Sequence, residues 1–390
     1  MRVDEIKEHL SKDLIPFWKS LKDDEFGGFY GEIDFDLNLS KRADKGGILN
    51  SRILWFFSNA YLTLQDETCL SYAKHAYDFL RKVFLDQENG GVFWSVTYDG
   101  KPADDTKHTY NQAFAIYGLA SYYDAAGDKE ALSLAYTLMD KIEDKCRDNI
   151  GYLEAFDRCF QPASNEKLSE NGVMASRTMN TLLHVLEAYT EVYRVDKNAM
   201  VADKMRWMLT IFADQIYNPA KRRLEVFFDW DMNSLLDLNS YGHDIEASWL
   251  VDRSVEILKD PVYLARIAPV TRELTAHIHS VAMDETSLYN ECEDGNLDTK
   301  KVWWVQAEAI LGFLNGYQKD PSKVEYLESA GKIWDFIKVY MIDPREGSEW
   351  FFELTKEGTP MSTRGIVGPW KCPYHNGRMC FEIINRNITF

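Results

Sequence analysis

The chain has 390 residues, with 44 Lys plus Arg against 62 Asp plus Glu, a formal charge of −18. A surface this acidic repels phosphate backbones and anionic lipid, which sets aside nucleic-acid and peripheral-membrane binding. Hydrophobic residues at 45% and charged residues at 27% are the balance of a soluble globular protein, and no apolar run is long enough to span a membrane. The start, MRVDEIKEHL, lacks the apolar stretch of a secretory leader. Cys69, Cys146, Cys159, Cys292, Cys372 and Cys380 are scattered, with no C-x-x-C pair. They are expected to be free thiols in a reducing, cytoplasmic setting, where the sequon Asn387-Ile388-Thr389 is a chance match. The 11 Trp, 21 Tyr and 21 Phe suit a large core or a sugar-binding cleft equally well.

In chain order, short aromatic segments alternate with stretches of helical periodicity. A helix predicted over 3–21 precedes Gly27-Gly28-Phe29-Tyr30-Gly31-Glu32. Helices over 48–64 and 70–85 lead to Gly90-Gly91-Val92-Phe93-Trp94-Ser95, and helices over 110–126 and 131–146 to Gly151-Tyr152-Leu153-Glu154-Ala155-Phe156. Helices over 176–193 and 201–217 precede Leu224-Glu225-Val226-Phe227-Phe228, and helices over 244–258 and 262–283 precede Leu288-Tyr289-Asn290-Glu291. Helices over 302–317 and 324–341, then Glu349-Trp350-Phe351-Phe352-Glu353 and a last helix over 375–385, complete the chain. The aromatic segments read as extended and start 63, 61, 73, 64 and 61 residues apart. Breakers such as Gly127-Asp128, Asp260-Pro261 and Asp320-Pro321 fall between the two helices of a pair.

Twelve helices in six copies predict an all-α (α/α)6 barrel, a toroid of six helical hairpins with the first helix pairing with the last. The alternative is an open helical solenoid, which would call for polar capping repeats. No Pro/Ser-rich linker interrupts the chain, so 1–390 reads as one catalytic domain, and as a monomer.

The first helix after each aromatic segment should be the inner one, with its N-terminal turn at one mouth of the barrel. Those heads carry Asn50-Ser51-Arg52, His108-Thr109-Tyr110-Asn111, Met179-Asn180 with His184, Gly242-His243-Asp244-Ile245-Glu246, Trp303-Trp304 with Glu308, and Pro373-Tyr374-His375-Asn376. His243 and Glu246 are spaced i,i+3; Asn180 and His184, and Trp304 and Glu308, are spaced i,i+4, so each pair shares a helical face. The positive end of a helix disfavours imidazolium, so His243 and His375 are expected to be neutral, as general bases need to be. His9, His75, His277 and His279 read as structural, and Trp249 and Trp303 as either core rings or sugar contacts. Cys372, His375 and Cys380 lack the second ligand pair of a zinc site, so no metal is expected. No Walker loop, dinucleotide fingerprint or H-E-x-x-H occurs, and nothing requires a cofactor.

Three functions fit such a mouth. Glycoside hydrolysis needs two opposed carboxylates, for which Glu246, Glu308 and Asp157 are candidates. Proton transfer beside a sugar carbonyl needs bases and a cation for the enediolate, which His243, His375, His184 and Arg52 supply. A non-catalytic binding toroid has no use for several convergent histidines.

At these residues the sequence resembles the N-acylglucosamine 2-epimerase family, from Ile15-Pro16-Phe17-Trp18 to the C-terminus. The carriers are Asn50-Ser51-Arg52-Ile53-Leu54-Trp55, Lys107-His108-Thr109-Tyr110, Ser169-Glu170-Asn171-Gly172 and Arg177-Thr178-Met179-Asn180. Further carriers are Ser240-Tyr241-Gly242-His243-Asp244-Ile245-Glu246-Ala247-Ser248-Trp249, Val302-Trp303-Trp304-Val305-Gln306-Ala307-Glu308 and Trp370-Lys371-Cys372-Pro373-Tyr374-His375-Asn376-Gly377-Arg378. The resemblance implies the barrel and cofactor-independent epimerisation at C2 of the reducing-end glucose of a β-1,4-linked disaccharide, cellobiose or lactose. It implies His243 and His375 as the acid/base pair, Arg52 at the enediolate oxygens, His184 at the O1/O2 end, and Glu246 orienting His243. It also implies Tyr110, Asn180 and Glu308 on hydroxyls, with Trp249, Trp304 and Trp370 shaping the cleft. The relatives of this reaction are N-acetylglucosamine epimerisation and aldose–ketose isomerisation of mannose; a hydrolase on the same barrel is the remoter reading.

Overall fold

The computed structural model describes residues 2–169, 171–388 and 390, so Glu170 and Thr389 of the motifs above lie outside the described residues. Twelve helical runs follow one another. They are α1 (2–20), α2 (Gly47–Leu64), α3 (67–84), α4 (Thr109–Ala126), α5 (129–146) and α6 (Met179–Asp196). The second half holds α7 (199–216), α8 (Tyr241–Leu258), α9 (Pro261–Val281), α10 (Trp303–Lys319), α11 (324–341) and α12 (His375–Arg386).

Helix periodicity alone does not close a ring; packing does. Helix α2 packs on α4, α4 on α6, α6 on α8, α8 on α10, α10 on α12, and α12 returns to α2. Around this inner ring α3, α5, α7, α9 and α11 each back onto the preceding inner helix, and α1 packs against α12, joining the ends of the chain. This is the (α/α)6 barrel. The inner helices are apolar nearly all round because both their faces are covered; in α4 every residue from Thr109 to Tyr122 is buried. The outer helices bury one stripe, as α5 does with Ala131, Ala135, Leu138 and Met139. One continuous core runs from Ile6 to Ile388.

The hairpin turns share a local rule. Gln65, Gly127, Lys197 and Lys259, each with a φ between 55° and 67°, end an inner helix in the left-handed region. The next residue, Asp66, Asp128, Asn198 or Asp260, caps the outer helix by accepting a backbone N–H two residues on. After each outer helix the chain turns back through its aromatic segment. Lys22 bridges Phe29, Leu85 bridges Val92, Arg147 bridges Tyr152, Met283 bridges Leu288 and Ile342 bridges Trp350, and Tyr217–Asn218 pairs with Arg223–Leu224. The expected extended segments are therefore antiparallel returns.

Neighbouring repeats are stitched around the mouth by the strand just before an inner helix. Lys45–Gly46 pairs with Ser95–Val96, Lys107–His108 with Ala155–Phe156, Arg177–Thr178 with Phe227–Phe228, Leu238–Ser240 with Glu291–Glu293, and Lys301–Val302 with Glu353–Leu354. The bridge Ile33 to Val367 closes the circle. These strands correct two boundaries. The helix expected from 176 begins at Met179, because 177–178 is committed to a strand, and the helix expected from 244 begins at Tyr241.

At four of the stitches a strand cation pairs with a carboxylate of the return below it. Lys45 Nζ lies 2.6 Å from Asp23, and Lys107 Nζ lies 3.1 Å from Asp86, with both lysines fully buried. Arg177 pairs with Asp148 and Lys301 with Asp284 at the matching places, and in the last repeat Lys371 pairs with Glu349 instead of the equivalent Asp343. In the fourth repeat Asn239 replaces the cation and donates to Asp244 at 2.8 Å. Deleting one partner of such a pair leaves an uncompensated buried charge, so these pairs hold the heads of the inner helices in register.

Candidate active site

The inner-helix heads converge on a cavity of about 510 Å3. Arg52, Tyr110, Asn180, His184, His243, Glu246, Trp304, Trp370 and His375, all expected from the sequence, line it. Trp249 and Glu308 do not. Trp249 is buried behind the floor, where its Nε1 donates to Glu308 at 3.0 Å. Glu308 lies behind His375 and contacts its Nδ1 at 2.7 Å. Both were expected to meet sugar; both instead support a side chain that faces the cavity. Depth alone does not decide this, since Arg52, His184, Glu246 and Glu308 are each the sixth residue of their helices; Glu308 is covered by His375, and Trp249 lies against Glu308.

His243 and His375 each pack against the Trp304 ring, with ring centroids 4.9 and 5.3 Å from it. Gly242 permits this, because a Cβ there would stand 2.4 Å from the Trp304 ring. His243 Nδ1 is held by Ser240 Oγ at 2.8 Å. His375 Nδ1 faces Glu308 Oε1, and that carboxylate also accepts from Arg378 and Trp249, which can only donate. His375 therefore donates through Nδ1–H, which leaves its Nε2 as the lone-pair nitrogen. Burial, with His184 nearby, pushes His243 down to about 3. Burial also pushes His375 well below the ordinary histidine range, with Arg378 and Arg52 adding to it. Both rings are neutral, as expected, but the leading cause is burial rather than the helix ends.

Beneath the histidines one guanidinium ties three carboxylates together. Arg378 donates through Nη1 to Glu187 at 2.6 Å and through Nη2 to Glu308 at 2.6 Å and to Glu246. Glu187 also accepts from His184 Nδ1 at 2.8 Å and Tyr374 OH at 2.5 Å. Against burial, Arg378 and the His184 hydrogen bond hold Glu187 down at about 2. Burial and neighbouring Glu308 push Glu246 up to about 7, despite Arg378. Glu246 was expected to orient His243; it contacts Arg378 and stands 3.8 Å from His375 Nδ1 instead. Glu246, Glu308 and His375 could together ligate a cation, and the cation the structure places against both carboxylates is the Arg378 guanidinium.

Arg52 forms the opposite wall. Its Nη2 donates to Tyr110 OH at 2.8 Å and its Nη1 reaches Cys372 Sγ at 3.6 Å. The guanidinium rests on the Phe114 and Tyr374 rings at 4.0 and 4.5 Å. Asn180 Oδ1 is buried and without a hydrogen-bond partner among the described residues. Trp370 packs on Tyr110 with centroids 5.8 Å apart.

Glu187 was not named from the sequence, and Ser240, Tyr374 and Arg378 were quoted within motifs without a role. Glu187 and Arg378 had a signal, since each lies i,i+3 from a histidine, His184 or His375. Asn171, Asn290, Lys300, Phe352 and Arg364 also line the cavity and lie outside the helices; Asn171 stood in a family motif and Asn290 and Phe352 in aromatic segments, while Lys300 and Arg364 had no signal. His108, at the head of α4, does not line the cavity; it packs at a tilt against Trp94, with ring centroids 4.7 Å apart. His9, His75, His277 and His279 are structural, bonded to Asp13, the Gly28 carbonyl, Asn239 and Ser329. Hydrolysis loses its carboxylate pair: Glu246 and Glu308 share one Arg378 nitrogen, and Asp157 accepts backbone N–H groups in an exposed turn.

The chain matches the N-acylglucosamine 2-epimerase (GlcNAc 2-epimerase) family over residues 28–376. It belongs to that family. Within reach of the family's sequences it is 50% identical to a cellobiose 2-epimerase of Ruminococcus albus over 388 residues, covering 100% of both chains. Among solved structures it is similar to a sugar epimerase from a ruminal bacterium, with a TM-score of 0.99, 50% identity and 100% of both chains covered. It is also similar to the cellobiose 2-epimerase of Bacillus thermoamylovorans B4167, with a TM-score of 0.94 and 43% identity over 98% of this chain and 99% of the other. The chain is a carbohydrate epimerase, an isomerase, and its substrate is a sugar. Among the described residues no helix is long and apolar enough to cross a membrane.

Proposed function

We propose that this chain epimerises C2 of the reducing-end glucose of β-1,4-linked disaccharides, turning cellobiose into glucosyl-mannose and lactose into epilactose. The observation that carries the reading is a pair of neutral histidines, each packed against the Trp304 ring and lining a cavity with a buried arginine in its wall.

Ring opening exposes the C1 aldehyde and acidifies the C2 proton. One histidine of the pair removes that proton, and His375, with Nδ1–H fixed on Glu308, presents a lone pair at Nε2 for the task. The resulting cis-enediolate carries negative charge beside Arg52, whose position is set beforehand by Tyr110 and the rings beneath it. After rotation about C2–C3, the second histidine returns a proton to the other face of C2. The enediolate's charge, absent from the empty cavity, favours imidazolium at that histidine, which takes its proton from solvent, while the first histidine gives its proton back to solvent. His184, anchored by Glu187, moves protons at the O1/O2 end, and Tyr110 and Asn180 hold hydroxyls. Trp304 and Trp370 provide faces for the pyranose rings. Glu246 and Glu308 act through Arg378 and His375, and Trp249 through Glu308.

The whole of 1–390 acts as one catalytic domain, which one continuous core supports, and as a monomer. A cytoplasmic location is supported by six free cysteines.

The test is NMR of the purified protein with cellobiose in D2O, with no metal or nucleotide added. Glucosyl-mannose anomeric signals with deuterium at C2 are the expected result. Turnover of mannose or N-acetylglucosamine alone would move the substrate to a relative's, and free glucose alone would reject epimerisation.

A further inference from the structure

Arg52 is an unusual buried cation. It is 2% exposed, and among the described residues no carboxylate lies within ion-pairing distance of it. Its contacts are a phenol, a thiol and aromatic faces, and its Nε has no partner. The other buried guanidinium of the site, Arg378, is surrounded by three carboxylates. Cation–π contacts and neutral hydrogen bonds offset only part of the desolvation of a guanidinium. The wall of the cavity thus holds a positive charge that no carboxylate among the described residues touches, although Glu246, Glu291 and Glu353 line the same cavity, and an anionic group on a ligand would be its first direct counter-ion. Asn180, with its buried, unpartnered Oδ1, is a second polar group in that wall left open to a ligand.

A neutral sugar does not meet that charge in its ground state. A disaccharide whose reducing end has been oxidised to the aldonic acid does. Its chain is already open, its C1 is planar, and its two C1 oxygens carry a full negative charge one bond from C2–OH, close to where the enediolate places its own. With His243 and His375 neutral in the empty cavity, Arg52 is the cation already in place for the carboxylate. The cavity's other cations, Lys300 and Arg364, lie outside the helices. Lys300 is already paired with Asp298 and Glu353.

We infer that the cavity is a binding site for β-1,4-linked disaccharide aldonates, held by their C1 carboxylate on Arg52, and that these act as competitive inhibitors. The inference rests on the epimerase reading of the same cavity. It also means that any reaction oxidising C1 of the same disaccharides produces an inhibitor of this enzyme.

Lactobionate and lactitol form a matched pair of equal length, both open-chain, differing in a carboxylate or an alcohol at C1. Calorimetry of the whole protein is expected to give lactobionate a Kd at least tenfold below that of lactitol. In Arg52→Gln, with folding checked by circular dichroism, the two are expected to bind within about twofold. Equal or weaker binding of lactobionate by the wild-type protein overturns the inference, as does a preference that survives Arg52→Gln. If Arg52→Gln does not fold, a crystal structure with lactobionate decides: a carboxylate on Arg52 supports the assignment, and one on Lys300 or Arg364 rejects it. Calorimetry needs no turnover, so failure of the epimerase reading shows separately, as absence of glucosyl-mannose from cellobiose.

Discussion

Arg378→Met removes the one cation common to Glu187, Glu246 and Glu308. Two of these keep other donors: His184 and Tyr374 for Glu187, His375 and Trp249 for Glu308. The loss is therefore that of a broken buried ion pair, about 3–5 kcal/mol, rather than three times that. At about 2.1 cal/mol/K per residue, the unfolding entropy of 390 residues is about 0.8 kcal/mol/K, so Tm falls by about 4–6 °C. The pH dependence separates an electrostatic loss from a packing loss. In the wild-type protein Glu187 is depressed to about 2, so its contribution is present above the unfolded value and is lost only as pH falls toward 2. Without Arg378 burial dominates: Glu187 rises above its unfolded value, and Glu246 and Glu308, already raised in the wild-type protein, rise further. Such carboxylates destabilise the folded state above the unfolded value, and the penalty shrinks as pH falls and they take up protons. Thermal melts of both proteins from pH 8 to pH 5 should show the deficit narrowing toward pH 5. A deficit independent of pH, or none, would refute the reasoning. Activity should fall about 10²–10⁴-fold, because His184 and His375 lose their shared anchor.

Three further outcomes are expected. Imidazole 15N shifts of His243 and His375 should report neutral rings down to pH 5, since burial leads both below the ordinary range; an inflection near 6.5 in either contradicts this. Trp249→Phe should lower kcat with KM within about twofold, through loss of a charge-assisted hydrogen bond of about 1.5–3 kcal/mol, whereas Trp304→Ala should raise KM; steady-state kinetics with KM raised in the former places Trp249 against the sugar after all. Asp23→Ala should destabilise by about 3–5 kcal/mol through the orphaned Lys45, and adding Lys45→Met should recover most of it; thermal melts in which the double variant is the less stable reject the ion-pair account.

The six-part helical rhythm, the inner-helix heads and the histidine pair were legible in the sequence, because each follows from local chain geometry. A period of 3.6 residues marks the helices, and an aromatic return every sixty-odd residues marks the repeat. A residue's distance from the head of its helix says how near the mouth it stands. That is why His243, His375, Arg52 and His184 could be named in advance. What the side chains touch is a different matter, since it depends on how far each inner helix tilts and on which neighbour it meets. Glu246 and Trp304 both sit near helix heads, yet only tertiary packing turns Glu246 away from His243 and toward Arg378. The family resemblance implied sugar contacts for Trp249 and Glu308, and the ring's closure placed Glu308 against His375 and Trp249 against Glu308. The Arg378 hub joins residues from α6, α8, α10 and α12, and no sequence period connects those helices. The lone charge of Arg52 is likewise a property of the closed barrel: a sequence shows which carboxylates exist, and only the packed ring decides that none of them stands beside this guanidinium.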